Sequence, residues 1–139
     1  MSTKKLDANI TEKMVKSRVK DIIKIFSKYT PIYTFCPMTF GYGESGHPDR
    51  ILLIKGNFLG IEVKKDANNH HSRPSLKPKP NEVMQKRQAM NIKMAGGDWL
   101  CIHKDNLDEL IDWLFKYAPA KIFSQKDINK LEELMLWHS

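Results

Sequence analysis

An aspartate, a glutamate and a lysine flank one predicted β-hairpin. Asp49 precedes the first strand of the hairpin, and Glu62 and Lys64 lie on its second strand. The turn folds Glu62 back toward Asp49, and strand alternation puts Glu62 and Lys64 on one face. Two carboxylates can hold Mg²⁺ or Mn²⁺, which activates a water, while an ammonium orients that water or stabilises developing charge. These residues predict hydrolysis of a phosphodiester bond.

The acid-x-lysine pattern is weak evidence by itself, because an acid two residues before a lysine on a strand is more often an exposed salt-bridging pair. Two further features favour a site. Glu62 interrupts an apolar run from Phe58 to Val63, and the turn from Gly46 to Asp49 delivers a second acid at the start of the neighbouring strand. Charged residues among apolar positions tend to mark functional sites.

The elements that must position these residues follow from the spacing of apolar residues. From Ile10 to Phe26 such residues recur at three- and four-residue intervals between lysines, which predicts an amphipathic helix. Turn and strand composition predicts most of the rest. The further predicted elements are a strand from Ile32 to Cys36, a glycine-rich loop from Gly41 to Gly46, hairpin strands from Arg50 to Lys55 and from Phe58 to Lys64 joined by a Gly56-Asn57 turn, a helix capped by Asn81 and reaching Met94, a strand from Trp99 to His103, and helices from Asp105 to Tyr117 and from Ser124 to Trp137.

The order of helix, strands, helix and strand predicts an α/β fold, a small mixed β-sheet flanked by helices. The near-continuous apolar run from Ile51 to Ile54 predicts a strand covered on both faces. We expect one domain over residues 1–139, with its core at about 10–117 and a C-terminal helix at about 124–137. The apolar side of that last helix offers a surface for a partner, although packing on its own domain is the simpler account.

The charge of the chain favours a polyanionic partner. Its 23 Lys and Arg outnumber 16 Asp and Glu, which gives a net charge of +7, and nucleic acid is the leading candidate. The sequence lacks a long apolar run or an amphipathic terminal anchor, so we expect no membrane association. Residues Met1 to Asp7 lack the apolar stretch of a secretory signal, so we expect a cytoplasmic protein, within the host cell if it is viral.

The cysteines and one histidine are expected to be structural. Cys36 and Cys101 each lie in an apolar, strand-like run, where a free cysteine usually behaves as a small buried hydrophobe. We therefore expect neither a disulfide nor a zinc site. His103 ends a predicted strand and is also expected to be structural.

A basic loop from Lys65 to Pro80 follows the second hairpin strand. Three prolines with Asn, His and Ser predict an exposed loop. It could follow a phosphate backbone across the site, and a solvated linker is an equally good interpretation. Because it contains no base-reading motif, we expect a preference for DNA structure over DNA sequence. The candidate DNA-binding residues are Lys65, Arg73, Lys77 and Lys79.

Three motifs follow one another along the chain. They are Gly46-His-Pro-Asp-Arg50, then Ile61-Glu-Val-Lys64, then a glutamine on a helix that runs into Ala95-Gly96-Gly97. In this order they resemble the virus-type replication-repair nuclease (VRR-NUC) branch of the PD-(D/E)XK nucleases, in the stand-alone form of phage and related genomes. The resemblance spans roughly Glu12 to Trp113. It implies a restriction-endonuclease-like fold, Mg²⁺ or Mn²⁺ as cofactor, and DNA as substrate.

The resemblance also implies residue roles. Asp49 and Glu62 correspond to metal-binding carboxylates, the carbonyl of Val63 to a further ligand, and Lys64 to the catalytic lysine. The family's glutamine corresponds to Gln85 when the distance to the Gly96-Gly97 pair is the guide.

Two of these assignments have competitors. Gln88 lies one turn after Gln85 on the same helical face. An acid on the first helix often completes the metal site in the family, and Glu12 is the glutamate of that helix, with Asp7 and Asp21 as alternatives. A first-turn glutamate that only stabilises the helix dipole is a nearly equal interpretation of Glu12.

The function that the resemblance implies is a structure-selective endodeoxyribonuclease of replication, recombination or repair. It also implies a homodimer that places two active sites on branched DNA, as in a Holliday-junction resolvase. Two alternatives stay open. The same residues would serve a monomeric flap or nicking nuclease, and a non-catalytic DNA-binding module could keep the fold and charge without turnover.

Overall fold

The computed structural model describes residues 9–38, 46–66 and 80–137. The glycine-rich loop, except for Gly46, and most of the basic loop lie outside these ranges. In chain order the elements are α1 Glu12–Ser27, β1 Tyr33–Phe35, β2 Arg50–Ile54, β3 Asn57–Val63, α2 Pro80–Met94, β4 Asp98–Ile102, α3 Leu107–Phe115, a 3₁₀ turn Ala120–Ile122 and α4 Gln125–Leu134.

The strands form one mixed sheet in the order β1-β2-β3-β4. β1, β2 and β3 pair antiparallel, while β4 runs parallel to β3. A parallel pair needs a crossover connection, and α2 lies in the connection between β3 and β4. The predicted α/β fold, a small mixed sheet with flanking helices, is confirmed.

The main core lies between one face of the sheet and helices α1, α3 and α4. Strand residues such as Leu52, Leu59 and Ile61 meet the apolar stripe of α1 there, and all are fully buried. Phe26 of α1 sits among aromatic rings, in edge contact with Phe115 and Phe123 at centroid distances of 5.0 and 4.9 Å. This packing fixes α1 against the sheet beside the hairpin.

Helix α2 lies on the opposite face of the sheet, over β3 and β4. It comes so close to β3 that a Cβ at Gly60 would lie 3.2 Å from the side chain of Ile92. Among the described residues, the β1-β2 half of this face is open, and Leu53 is 42% exposed beside Tyr33. The prediction that β2 is covered on both faces is therefore wrong, because α2 packs over the other half of the sheet.

The C-terminal helix α4 ends at Leu134 rather than at Trp137, and the hairpin turn, the start of α2 and the environment of Cys36 also differ from prediction. The hairpin turn is Lys55-Gly56, whose φ angles of 48° and 79° are both positive, as in a type I′ turn, and Asn57 already belongs to β3. Helix α2 begins at Pro80, where the fixed φ of proline suits the first turn. Cys36 is exposed rather than buried, because it follows the short edge strand β1.

The C-terminal helix packs on its own chain. Leu131 and Leu134 are buried in the core. Arg18 of α1 donates hydrogen bonds to the carbonyls of Leu134 and Leu136, at 2.8 and 2.6 Å, and its guanidinium lies 3.9 Å from the centre of the Trp137 ring. The apolar side of α4 is thus already occupied. Among the described residues, no helix is long and apolar enough to cross a membrane.

We predict that Phe26→Leu lowers the free energy of unfolding by about 1–2 kcal/mol, because leucine loses the aromatic edge contacts and leaves part of the space empty. Urea denaturation followed by circular dichroism measures the change. Met94→Ala, at an exposed position of α2, is the control and should change stability by less than about 0.5 kcal/mol. Equal stabilities of Phe26→Leu and the wild type would contradict this account of the core.

Candidate active site

Asp49 lies where the β2-β3 ladder ends. The last backbone pair is Arg50 with Ile61, so continued antiparallel register places Asp49 opposite Glu62. Beyond that pair the Val63 N–H has no β2 carbonyl to meet, and it donates instead to Oδ2 of Asp49 at 2.7 Å. The aspartate therefore extends the ladder with its side chain, which fixes its carboxylate beside the second strand.

A tight glycine contact holds the segment that carries Asp49. Gly46 has a φ of 79°, and a Cβ there would lie 2.5 Å from the carbonyl carbon of Met84 and 2.7 Å from the Gln85 nitrogen. No side chain fits in that space, so the segment can lie directly against the backbone of α2. The loop that ends in Asp49 and the helix that carries Gln85 are positioned by the same contact.

Glu62 is the buried centre of the cluster, with 3% of its surface exposed. Its Oε1 accepts a hydrogen bond from Nε2 of Gln85 at 3.1 Å and lies 3.8 Å from Nζ of Lys64. Strand alternation brings Lys64 to the face of Glu62, and the packing of α2 brings Gln85 to the same point. Asp49, Glu62, Lys64 and Gln85 thus come together from three elements separated along the chain.

The surroundings of Glu62 disfavour its negative charge. Burial is the largest cause, and the nearby carboxylates of Asp49 and Glu12 act in the same direction, so that the pKa of Glu62 rises to about 9. Lys64 opposes this shift without cancelling it. Without further positive charge, the Asp49–Glu62 pair holds a proton at neutral pH.

The donor atoms at this site suit a hard divalent cation. Oε2 of Glu62 and Oε1 of Gln85 are buried, and neither has a hydrogen-bond partner in the described part of the chain. Within the same residues, no three His, Cys, Asp or Glu side chains form a ready-made metal cage. Mg²⁺ does not require one, since it usually keeps several waters and binds one or two carboxylates plus substrate phosphate. The residues present therefore fit Mg²⁺ or Mn²⁺ better than a closed structural metal.

Glu12 lies at the rim of the cluster. Its carboxylate is 3.4 Å from Nζ of Lys16, and that nitrogen is also 3.5 Å from Oδ1 of Asp49. Asp21, one of its competitors, lines a groove beside α4 instead, and Asp7 lies outside the described residues. Lys16 was not predicted as a site residue from the sequence, although its i,i+4 spacing from Glu12 indicates that the two side chains can pair.

Some of the other predicted site residues lie within the described part of the chain and some lie outside it. Gln88 is buried on α2, while the hydrogen bond to Glu62 comes from Gln85. Lys65 is exposed next to Lys64. Of the remaining basic-loop candidates, Arg73, Lys77 and Lys79 lie outside the described ranges.

The two structural predictions outside the cluster agree with the fold. Cys101 is a buried free cysteine. His103 is buried, and its Nδ1 accepts a hydrogen bond from the Asp105 N–H at 3.1 Å. His103 therefore stabilises the turn that follows β4.

The chain was compared with family models, curated proteins and solved structures. No family model matches the sequence, and no curated protein matches it. Among solved structures, one described as "VRR_NUC domain" superposes with a TM-score of 0.45 and 22% identity, over 68% of this chain and 95% of that chain. This chain is similar to a VRR_NUC domain.

The raised pKa of Glu62 predicts a pH-dependent stability in the presence of EDTA. Folded Glu62 keeps its proton up to about pH 9, whereas in the unfolded chain it loses the proton near 4.5. Unfolding in this window releases a proton, so stability is greatest below the lower value and falls as pH rises. Between about pH 6 and about pH 8, the wild type should lose ~2–3 kcal/mol more than Glu62→Gln, which cannot ionise.

Urea unfolding of both proteins at the two pH values measures this difference. Other titrating groups are present in both proteins, so their contributions to the pH dependence of stability cancel in the comparison. Parallel losses of stability in the wild type and in Glu62→Gln would mean that Glu62 is already ionised in the folded protein.

Proposed function

We propose that this protein is a Mg²⁺- or Mn²⁺-dependent endodeoxyribonuclease. The observation that carries the proposal is the buried Glu62 carboxylate, which has one oxygen without a partner among the described residues and lies beside Asp49, Lys64 and Gln85. A buried acid with an unsatisfied oxygen is costly to the fold unless a cation or a proton compensates it. The position of a lysine next to it favours hydrolysis over mere metal storage.

The proposed metal ligands are Asp49, Glu62 and the carbonyl of Val63, with Glu12 completing the site. In an extended strand the N–H and C=O of one residue point to the same side. Since the Val63 N–H points to Asp49, the Val63 carbonyl is directed to that side too. A divalent cation held there would lower the pKa of a bound water and screen the phosphate charge.

The remaining side chains orient water and substrate. Lys64 is mostly shielded from solvent, and its ammonium can hold the attacking water or donate to a phosphate oxygen as negative charge develops. Gln85 fixes the rotamer of Glu62 through its amide nitrogen. Its free Oε1 can accept a hydrogen bond from a water in the site. We therefore propose Asp49, Glu62, Lys64 and Gln85 as the catalytic set.

DNA is the proposed substrate. The net charge of +7 favours a polyanion, and Lys65 lies exposed directly after the catalytic lysine. We assign Lys65, Arg73, Lys77 and Lys79 to the phosphate backbone. Contacts to phosphate position a duplex without reading its bases, so the enzyme should select DNA structure rather than sequence.

A homodimer acting on branched DNA is the more specific form of the proposal. The apolar side of α4 is occupied by its own chain, whereas the open half of the sheet carries exposed apolar side chains. We call this surface the open sheet face, and its residues are Tyr33, Phe35 and Leu53. Exposed apolar side chains grouped at a sheet edge are typical of an interface. We therefore place the second copy on the open sheet face rather than on α4.

The test of the nuclease is cleavage of an end-labelled four-way junction, compared with a flap, an intact duplex and a single strand, in Mg²⁺, Mn²⁺ or EDTA. We expect metal-dependent cuts in the junction, and a loss of rate of about 100-fold or more in Lys64→Ala and in Asp49→Asn. Lys121→Ala, at an exposed lysine of the 3₁₀ turn, is the control and should cleave at the wild-type rate.

The other outcomes separate the alternatives. Cuts confined to the flap would favour the flap nuclease. Salt-sensitive DNA binding with no cleavage of any substrate would indicate a non-catalytic binding module, as would wild-type activity in Lys64→Ala.

Light scattering coupled to size-exclusion chromatography tests the dimer. We expect the mass of two chains for the wild type and of one chain for Phe35→Lys, because a charge at the open sheet face cannot be buried against a second copy. Met94→Lys, an equally apolar-to-charged change at an exposed position of α2, should leave the dimer intact. A monomeric wild type, or a dimeric Phe35→Lys, would reject this interface.

A further inference from the structure

Both carboxylate oxygens of Asp49 already have a partner. Oδ2 accepts the Val63 N–H at 2.7 Å, and Oδ1 lies 3.5 Å from Nζ of Lys16. The first contact belongs to the end of the β-ladder and holds the aspartate in place. The partner of Oδ1 is the ammonium of a lysine side chain. Oδ1 is therefore the oxygen that can exchange its partner for a cation. A cation that binds Asp49 must therefore compete with Lys16.

Helix α1 fixes Lys16 at this position. Thr11 caps the helix by accepting a hydrogen bond from the Met14 N–H at 3.2 Å. Arg18, two residues after Lys16, ties the same helix to the carbonyls that follow α4. One turn before Lys16, Glu12 presents its carboxylate to the same ammonium at 3.4 Å. The lysine thus bridges the two carboxylates that flank the buried Glu62.

We propose that Lys16 is a resident counterion of Asp49 and Glu12 that a divalent cation displaces on binding. This inference rests on the proposed function, since it assumes that the cation binds at Asp49. Lys16 neutralises part of the negative charge of the cluster, and it leaves when a doubly charged ion takes its place. Its presence weakens the apparent affinity for the ion and makes the acids compatible with the fold at low metal concentration.

The exposure of the partners makes the exchange feasible. The side chains of Lys16, Glu12 and Asp49 are 45%, 46% and 27% exposed. Ion pairs at such exposure are weak and screened, so a divalent ion can replace one at small cost. A pair as deeply buried as Glu62 would instead oppose the removal of its partner. The bridge therefore behaves as a replaceable contact rather than as a structural bond.

The Lys16 ammonium can leave Asp49 through movement of its side chain. The flexible four-carbon stem of lysine allows that movement.

The experiment is titration of the full chain with Mn²⁺, with no DNA present, by isothermal calorimetry and by the electron paramagnetic resonance signal of free Mn²⁺. The variants are Lys16→Gln, Lys16→Arg, Asp49→Asn and Lys20→Gln. Lys20 is an exposed lysine of the same helix, so Lys20→Gln makes the same change in net charge one turn away. All four substitutions are at positions with exposed or half-exposed side chains and keep helix-compatible or isosteric residues.

We expect Lys16→Gln to bind Mn²⁺ about 3- to 10-fold more tightly than the wild type, because the substitution removes one positive charge a few ångströms from the ion in a solvated site. Lys20→Gln should stay within about twofold of the wild type, because its charge is more distant and screened. Lys16→Arg, which retains the charge, should not gain affinity. Asp49→Asn should bind most weakly.

The outcomes distinguish the inference from the proposed function. Mn²⁺ binding that is lost in Asp49→Asn but unchanged or weakened in Lys16→Gln would leave the metal site standing and overturn the role of Lys16. Equal gains in Lys16→Gln and Lys20→Gln would also overturn it, since net charge alone would explain them. Equal binding by the wild type and Asp49→Asn, or none by either, would reject the metal site and the inference with it.

Discussion

The hydrogen bond from the Val63 N–H to the Asp49 carboxylate is the contact on which the site depends. It forms because the β2-β3 ladder ends at the pair of Arg50 with Ile61, two residues before Val63, which leaves a backbone donor that a side chain can meet. The same bond sets the distance between Asp49 and the strand that carries Glu62 and Lys64. It also turns the backbone edge of the buried Val63 toward the cluster. A continuous ladder would have satisfied that donor with a carbonyl, and no acid would have been held at this point.

The second constraint is the burial of Glu62. A carboxylate among apolar neighbours is unfavourable, and the surrounding acids add to the cost, as the raised pKa shows. Gln85 and Lys64 relieve part of it, and within the described residues one oxygen is left without a donor. This arrangement is costly to the fold unless a proton or a cation compensates it. Under the proposed function, stability and cation binding are coupled through this one side chain.

The two flanking helices, α2 and α1, contribute different kinds of side chain to the site. Helix α2, held close by Gly46 and Gly60, contributes the neutral hydrogen-bond donor of Gln85 to the buried side of the cluster. Helix α1, held by the aromatic core around Phe26, brings a charged pair to the solvent side. The buried side therefore has a fixed geometry, whereas the partners on the solvent side can be exchanged. Such a division fits the proposed nuclease, whose ligands must be held firmly while ions and DNA enter the site.

The sequence by itself determined the elements and the identity of the acids, because apolar spacing, turn residues and strand alternation are local properties. It therefore predicted the mixed α/β sheet and the common face of Glu62 and Lys64. Only the tertiary structure placed Gln85 rather than Gln88 against Glu62, since both share one helical face and the packing of α2 decides between them. The same holds for the open face at Leu53 and for the Lys16 bridge to Asp49. Each depends on where distant segments meet, which no local pattern records.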